Sequence, residues 1–381
     1  MEIRKELPEI FDDFADMRQK QFLAMKEIKD KGIPVVGAYC TYFPSELVYA
    51  AGAVSVGLCS TSDETIAEAE KDLPTNLCPM VKASYGFGKT DKCPYFYFSD
   101  IVVGETTCDG KKKMYELMKN FKEVYIMELP QTQREDALAL WTKEIIRFKE
   151  YLEEKLGVEI TEEKLRQAVH EQNNLRKALG EFYGLMKLNP APMMGKNLFD
   201  VLYGSQFMFD KVAALKTVED AIEKVKQDYS PETANKTKRI LMTGCPSSGA
   251  PMKVNDAIEA AGANVVVFEN CSGTKTIDRL IDEDADDIYK AIAERYLGIG
   301  CSVMTPNNNR MQLLEQLIKE FEIDGVVEMT LHACHTYNIE AKQVEKLVEG
   351  LGVPYIHIET DYSKSDVGQI QTRIGAFVEM L

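Results

Sequence analysis

The sequence predicts an α/β protein with two parallel-sheet domains that face a central cleft and a helical segment between them. Short apolar runs alternate with helix-forming segments in residues 1–130 and again in residues 237–381, which is the βαβ alternation of parallel sheets. Residues 131–236 contain no cysteine and show helical patterns instead. A chain of 381 residues is long enough for two or three domains. We expect both α/β domains to be Rossmann-like, of the flavodoxin-like kind.

The first domain opens with a predicted amphipathic helix over residues 8–30, where apolar side chains recur at helical spacing. The runs 33–40 and 53–59 are typical of buried strands. A third strand is expected within the aromatic and β-branched run 95–108, and a fourth over 124–127. The first three of these runs end at a cysteine.

The second α/β domain repeats this arrangement. Apolar runs over 239–245, 264–271, 325–334 and 354–360 predict four more strands. Within the helical segment that precedes them, Thr161 is expected to begin a helix because two glutamates follow it in the first turn.

The composition excludes several classes of partner. The chain carries 61 acidic and 45 basic residues, a formal net charge of −16, and such a surface repels the phosphates of nucleic acids and anionic membranes. The N-terminal segment lacks the apolar core of a signal peptide, and no apolar run reaches the roughly 18 residues that span a bilayer. We therefore expect a cytoplasmic protein that binds neither nucleic acid nor membrane.

Eight of the nine cysteines occupy matching places in the two α/β domains, which indicates an internal repeat. In a reducing compartment they are poor candidates for disulfides. Cys93 alone has no counterpart. Parallel α/β sheets bind ligands at the carboxyl ends of their strands, so two such domains facing each other would bring both sets of cysteines to one cleft. The matched pairs are Cys40 with Cys245, Cys59 with Cys271, Cys78 with Cys301, and Cys108 with Cys334.

Thiolates gathered in one cleft indicate iron–sulfur chemistry. A [4Fe–4S] cubane is commonly held by four cysteine thiolates, and three suffice where another ligand completes the fourth iron. Two sets of three would hold two cubanes or one larger cluster. Zinc is disfavoured because the chain has no C-x-x-C pair. The predicted ligands are Cys40, Cys78, Cys108, Cys245, Cys301 and Cys334, with Cys93 and Cys271 as secondary candidates.

Packing is the competing interpretation for every cysteine, because cysteine is among the most buried residue types and fills space like a small hydrophobe. Recurrence at strand ends and at matched loop positions weighs against packing for the six predicted ligands. Cys59 and Cys271 precede ordinary helix starts, and at these two positions packing and ligation carry equal weight.

The segment 86–90, Gly-Phe-Gly-Lys-Thr, is similar to part of a phosphate-binding P-loop. The full motif needs a glycine five positions before Gly88, where Ala83 stands. We therefore predict no nucleotide site in this segment, and expect a flexible loop that carries Cys93 into place.

His332, Cys334 and His335 bring together residue types that bind metals. Adjacent residues on a strand point to opposite faces, so Cys334 and His335 act together only if the strand has already turned. We favour a ligand Cys334 with a nearby imidazole that tunes a cluster. Two ordinary packed histidines are the alternative.

Three lysines, Lys111, Lys112 and Lys113, follow Cys108 closely at a predicted helix start. Positive charge at a helix N-terminus opposes the helix dipole. An anionic group is therefore expected nearby, and a solvated basic face is the alternative.

Four segments carry a resemblance to a known family: 39–44, 77–79, 106–112 and 359–362. The most specific is 106–112, Thr-Thr-Cys-Asp-Gly-Lys-Lys. With them the chain resembles the 2-hydroxyacyl-CoA dehydratase D-component family over essentially its whole length. The resemblance implies a two-subunit enzyme with a [4Fe–4S] cluster in each subunit and a separate ATP-hydrolysing activator. That activator would inject a low-potential electron, and the substrate would lose water through a ketyl radical.

The second half of the chain departs from these dehydratases because it is rich in cysteine, with Cys245, Cys271 and Cys301. Together with the segments 84–86 and 92–98, this makes the chain more similar to the branch of double-cubane cluster proteins. That resemblance implies an anaerobic homodimer with an [8Fe–9S] cluster and three cysteines per cubane. It also implies reduction of small molecules with electrons from an ATP-dependent iron–sulfur reductase.

Our expectation is therefore an iron–sulfur reductase, and two alternatives stay open. The first is a subunit of a [4Fe–4S] 2-hydroxyacyl-CoA dehydratase, which predicts a CoA-sized pocket and an unlike partner subunit. The second is a non-catalytic iron–sulfur electron carrier, which predicts redox cycling without turnover of any small substrate.

Overall fold

The computed structural model describes residues 15–232 and 236–381 and shows two parallel β-sheets of four strands each. The strand orders are β2-β1-β3-β4 and β6-β5-β7-β8, so the two sheets share one topology. Every strand pair is parallel. The expected α/β class with two Rossmann-like sheets is confirmed. The strands are β1 Val35–Ala38, β2 Val54–Gly57, β3 Ile101–Glu105, β4 Val124–Met127, β5 Lys238–Gly244, β6 Ala263–Glu269, β7 Gly325–Leu331 and β8 Tyr355–Thr360.

Helices precede, separate and follow the two sheets. We call residues 15–130 the first lobe, 131–232 the helical segment and 236–381 the second lobe. The first lobe contains α1 Ala15–Asp30, α2 Ser45–Ala50, α3 Ile66–Ala69, α4 Pro79–Lys89, α5 Pro94–Phe98 and α6 Asp109–Met118. The helical segment contains α7 Glu135–Leu156, α8 Glu162–Gly184, α9 Gly195–Ser205 and α10 Lys211–Asp228. The second lobe contains α11 Lys253–Ala260, α12 Ile288–Leu297, α13 Asn308–Glu320, α14 His335–Gly350 and α15 Val367–Glu379.

Two predicted helix starts can be compared with the structure. The opening helix is present over Ala15–Asp30, and its expected first residues, 8–14, lie outside the described residues. The helix predicted to begin at Thr161 is confirmed, because the Thr161 hydroxyl accepts a hydrogen bond from the Lys164 amide at 3.3 Å, as an N-cap residue does. In the described ranges, no helix combines the length and the apolar character that crossing a bilayer requires.

The third strand is shorter than the run 95–108 suggests, because it begins only at Ile101. Residues 94–98 form helix α5, with Pro94 in the first turn and Cys93 as the N-cap. Proline suits the first position of a helix, and the four aromatic side chains after it are all buried. A short segment that is buried on every side has no polar face, so periodicity cannot distinguish its helix from a strand.

The prediction of a flexible loop at 86–90 is wrong, because most of this segment lies inside helix α4. A Cβ atom on Gly86 would lie 2.3 Å from the backbone oxygen of Thr65. The glycine therefore allows α4 to pack closely against the start of α3. Close packing of helices, and not a phosphate loop, accounts for glycine at this position.

The two lobes contact each other directly through two hydrogen bonds between their loops. The Tyr42 hydroxyl donates a hydrogen bond to the Ile299 carbonyl at 2.9 Å. The Tyr362 hydroxyl donates to the Ser60 carbonyl, also at 2.9 Å. Both tyrosines are buried, so these bonds are shielded from water. They hold the carboxyl ends of the two sheets together.

Candidate thiol-lined cofactor site

A cavity of about 340 Å³ lies between the lobes, and eight of the nine cysteines line it, four from each lobe. All nine cysteines are free thiols. The structure thus brings the six predicted ligands together with Cys271, a secondary candidate, and with Cys59. Cys93 does not line the cavity. The lining cysteines are Cys40, Cys59, Cys78, Cys108, Cys245, Cys271, Cys301 and Cys334.

Helix starts and a strained strand end direct several of these thiols. Cys78, Cys108 and Cys334 are the N-cap residues of α4, α6 and α14, and a helix N-terminus stabilises a thiolate. Cys245 directly follows Gly244, whose φ is 109°. A Cβ at Gly244 would lie 2.1 Å from the Met329 carbonyl oxygen, so only glycine lets the chain turn at this point. The turn brings Cys245 to the cavity.

Three cysteines from both lobes form what we call the Cys334 group: Cys78, Cys245 and Cys334. The thiols of Cys245 and Cys78 donate hydrogen bonds to the Cys334 sulfur, and these bonds hold the pKa of Cys334 well below its ordinary value. The same bond raises the pKa of Cys78, and burial first and then the bond raise the pKa of Cys245. Hydrogen bonding within the group therefore favours the thiolate form of Cys334, and thiolates are the ligands that soft metals prefer.

A second set, the Cys40 group, consists of Cys40, Cys271 and Cys301. Burial raises the pKa of Cys40 well above its ordinary value; Lys111 opposes that shift, and Cys271 and Cys301 add to it. Burial raises the pKa of Cys271 to about 11 against the opposing charge of Lys275, and Cys301 adds to this increase. The three cysteines line the same cavity. This group also draws on both lobes.

The cysteines fit a polynuclear centre better than a single metal ion. Within residues 15–232 and 236–381, no three Cys, His, Asp or Glu side chains converge as the ligands of one ion. In an iron–sulfur cluster each thiolate binds a different iron, so the ligand sulfurs stand apart around the cluster. Thiolates are also the ligands that such clusters and other soft metals prefer. The donor set and its spread over the cavity wall therefore suit a cluster.

The three lysines after Cys108 divide between the cavity and the surface. Lys111 lines the cavity and donates a hydrogen bond to the Tyr39 carbonyl at 2.8 Å. Lys112 and Lys113 instead pair with surface carboxylates on the same helix. The expectation of an anionic group beside this run thus applies to Lys111 alone, which lies next to the thiols of Cys40, Cys59 and Cys108.

Glu105, at the end of β3, is a buried acid that the sequence patterns did not reveal. Neither carboxylate oxygen has a hydrogen-bond partner among the described residues. Burial raises the pKa of Glu105 to about 8, although the charge of Lys111 opposes the shift. A glutamate inside an otherwise apolar strand run, Ile101 to Glu105, is the signal that could have identified it.

Glu105 predicts a specific pH dependence of stability. Its pKa is 4.5 in the ordinary case and about 8 in the fold, so the folded protein keeps a proton that the unfolded chain releases between these values. The retained proton stabilises the fold fully below about pH 4.5. This stabilisation falls by about 1.4 kcal/mol per pH unit as the pH rises from there to the folded pKa. We expect Glu105→Gln to gain free energy of unfolding relative to the wild type from about pH 5 to about pH 8, measured by urea titration of the metal-free protein.

The matched control for this experiment is Glu116→Gln. Glu116 belongs to the same lobe, its side chain is 62% exposed, and its pair with Lys113 lowers its pKa. Its stability difference from the wild type should therefore stay constant above about pH 5. A Glu105→Gln difference that is equally constant would contradict the protonated state of Glu105.

A chain of hydrogen-bonding groups leads from Lys275 through Tyr337 to Cys301. The fully buried Lys275 ammonium donates to the Tyr337 hydroxyl oxygen at 2.7 Å. That leaves the hydroxyl proton of Tyr337 to point elsewhere, and the Cys301 sulfur lies 3.8 Å from the hydroxyl oxygen. Hydrogen bonds to ligand sulfurs tune metal centres, so Tyr337 is placed to act on Cys301.

This chain is connected through Glu269 to a buried ion network centred on Arg310. Its guanidinium contacts Glu269 at 3.2 Å and Glu328 at 3.1 Å, and it also pairs with Glu340. Glu269 in turn lies 3.2 Å from Lys275. Sequence patterns did not predict this network, and its signal was again acidic residues within the apolar runs of β6 and β7.

The two histidines near Cys334 do not serve the cavity. Neither His332 nor His335 lines it, and both are exposed. His332 pairs with Glu359 at 3.1 Å. The strand has indeed turned before Cys334, because Ala333 has a φ of 55°. Neither of these imidazoles therefore lies at the cavity. Two hydroxyl groups approach cavity cysteines instead: Thr336 lies 3.9 Å from the Cys334 sulfur, and Tyr337 lies 3.8 Å from the Cys301 sulfur.

The fold and the site define a two-lobed parallel α/β protein with a thiol-lined cavity between its lobes. The chain belongs to the 2-hydroxyglutaryl-CoA dehydratase, D-component family, whose model matches residues 40–381. The resemblance to the dehydratase D-components is thereby confirmed. Characterised relatives are subunits of dehydratases and reductases, so the expected enzyme class is supported at that level.

Three relatives illustrate the similarity. "Putative dehydratase subunit YjiM" of Escherichia coli (strain K12) is 51% identical over 100% of both chains. The (R)-phenyllactyl-CoA dehydratase beta subunit of Clostridium sporogenes is 25% identical over 97% of this chain and 98% of its own. One subunit of the benzoyl-CoA reductase of Thauera aromatica is 21% identical over 94% of each chain.

Proposed function

We propose that the chain is an iron–sulfur reductase that holds an [8Fe–9S] double-cubane cluster in the cavity between its lobes. The observation that carries this proposal is the arrangement of eight thiols from both lobes around one cavity. The Cys334 group would hold one cubane. Cys40 and Cys301 would hold the other together with Cys108 or Cys271, which both line the same cavity.

Such a cluster supplies electrons at low potential when it is bound, and the chain's own residues provide the setting. Lys111 offsets the negative charge of the neighbouring thiolates. Tyr337 is positioned to donate a hydrogen bond to Cys301. The buried hydrogen bonds of Tyr42 and Tyr362 hold the two lobes together. Electrostatic effects are stronger in a low-dielectric protein interior than in water.

The electrons would come from a separate ATP-hydrolysing iron–sulfur protein. The segment 86–90 that is similar to a P-loop lies mostly in a helix, which supports ATP hydrolysis on a partner. Two relatives are named as dehydratase beta subunits, which supports a multi-component system. We further propose a cytoplasmic homodimer that works under anaerobic conditions on a small molecule.

Anaerobic purification with iron analysis tests the proposal. We expect about eight irons per chain, two cubanes of four, a homodimer by light scattering, and reduction of acetylene when an ATP-dependent iron–sulfur reductase supplies electrons. Protein that binds no iron after anaerobic reconstitution would overturn the proposal.

A second candidate is a subunit of a 2-hydroxyacyl-CoA dehydratase, which is favoured by the names of the relatives. It predicts about four irons per chain, the content of one cubane. It also predicts co-purification with an unlike subunit and dehydration of an acyl-CoA thioester. These three measurements separate the two functions.

A further inference from the structure

The cavity lining has an unusual charge. The chain carries 61 acidic residues, yet no aspartate or glutamate among the described residues lines the cavity. Four basic residues do so: Lys111, Arg176, Lys211 and Arg295. Because like charges repel and opposite charges attract across a low-dielectric cavity, this lining favours an anion over a neutral or cationic ligand.

Two of these four cations are accounted for by groups of the protein itself. Arg176 forms a buried ion pair with Glu46. Lys111 lies beside the thiols of Cys40 and Cys108, where thiolates would offset its charge. The other two lie over aromatic rings, Lys211 over Tyr49 at 5.2 Å and Arg295 over Tyr296 at 4.3 Å. Of these two, Lys211 is half-buried, whereas Arg295 is only 4% exposed.

Arg295 is a buried guanidinium with an incomplete set of partners. Its Nη2 donates to the Thr276 carbonyl at 2.7 Å and its Nε to the Arg279 carbonyl at 3.4 Å. Its Nη1 makes no hydrogen bond to a described residue. Glu46 and Asp278 are the acids nearby, but among the described residues no carboxylate lies within 4.0 Å of the Arg295 guanidinium. A buried charge of this kind is costly unless a counter-charge completes it.

Arg239 shows what a purely structural buried arginine looks like in this protein. It is also 4% exposed, and it does not line the cavity. Three of its nitrogens donate to backbone carbonyls at 2.7 to 3.0 Å. Arg239 is thus satisfied by the fold, whereas Arg295 lines the cavity and its Nη1 has no hydrogen-bond partner among the described residues.

We propose that Arg295 binds the carboxylate of a small organic acid in the cavity. A guanidinium fork matches a carboxylate in two parallel hydrogen bonds. Apolar side chains that line the cavity from the neighbouring elements, Leu175, Leu179 and Ile277, would contact the hydrocarbon part. This inference deepens the proposed function, because it names small carboxylates as the substrate class, but the binding step itself requires no cluster.

Binding of butyrate to the full chain, purified anaerobically, tests this inference. Butyramide is the uncharged analogue of the same shape, and inorganic phosphate is a second anion. We expect calorimetry to show butyrate binding at least about tenfold more tightly than butyramide, the value of a charged hydrogen-bonded pair. Arg295→Gln should remove that preference and Arg295→Lys should restore part of it. Thermal unfolding of each variant shows whether it folds.

Arg239→Gln is the matched control, because it removes a buried arginine of equal exposure away from the cavity. It should lower thermal stability and leave the preference for butyrate unchanged. Equal binding of butyrate and butyramide, unchanged binding by Arg295→Gln, or tighter binding of phosphate than of butyrate would each overturn the carboxylate site. Iron content, measured on the same samples, reports separately on the proposed reductase: a chain without iron that prefers butyrate would refute the reductase and keep the site.

Discussion

Replacement of Cys334 by serine is expected to remove at least half of the iron that the chain binds. The Cys334 sulfur accepts hydrogen bonds from the thiols of Cys245 and Cys78, which favour its thiolate form. Thiolates, and not thiols, bind iron, so Cys334 is the first ligand available at its group. Serine is a far weaker ligand for iron, and it leaves the other two thiols of the group without the shared partner. Iron and sulfide analysis after anaerobic reconstitution measures the loss.

Cys93→Ser is the matched control for this prediction, because Cys93 is the one cysteine that does not line the cavity. It should keep the iron content of the wild type. Both variants should retain the far-ultraviolet circular dichroism of the fold. Wild-type iron content in Cys334→Ser would show that the Cys334 group holds no metal.

The presence of the cysteine site could be predicted from the sequence because its signals are local. A cysteine at the end of a strand-like run, as at Cys40 or Cys245, lies at the carboxyl edge of a parallel sheet whatever the rest of the chain does. The repeat of these positions then indicated that both lobes supply thiols to the same place. All six predicted ligands line the cavity for this reason.

The grouping of the cysteines could not be predicted in the same way. Cys78 belongs to the first lobe, yet its thiol forms a hydrogen bond with Cys334 of the second lobe. Such contacts depend on how two lobes dock, and no local pattern encodes docking. At Cys271 the sequence gives packing and ligation equal weight, because the neighbouring residues indicate only a helix start. The position of Cys271 beside Cys301 depends on the tertiary structure.

Charged residues show the same limit. Lys275 and Arg310 lie in segments whose composition suggests an exposed surface, and both are fully buried. Their burial depends on acids from other elements, Glu269 and Glu328. The sequence shows an unusual acidic residue within an apolar strand, but it does not show which basic residue pairs with that acid. The same reason applies to Arg295, because no local pattern indicates that this residue is buried and lines the cavity.

Arg310→Met is expected to reduce the free energy of unfolding by about 3–5 kcal/mol, the usual cost of breaking a buried ion network by removing one partner. Arg310 is fully buried and contacts Glu269, Glu328 and Glu340. Methionine fills similar space but leaves carboxylates buried without their main counter-charge. Urea unfolding of the metal-free protein measures the change.

Lys319→Met on the same helix, α13, is the control for this prediction. Lys319 pairs with Glu315 on the exposed face, where the two side chains are 61% and 43% exposed. Surface pairs contribute at most about 1 kcal/mol, so this variant should stay close to the wild type. Since Glu269 also holds Lys275, and Lys275 donates to Tyr337 beside Cys301, loss of Arg310 should also loosen the support of a cavity thiol. A loss of stability in Arg310→Met no greater than that in Lys319→Met would contradict the role of Arg310 as the main counter-charge of this network.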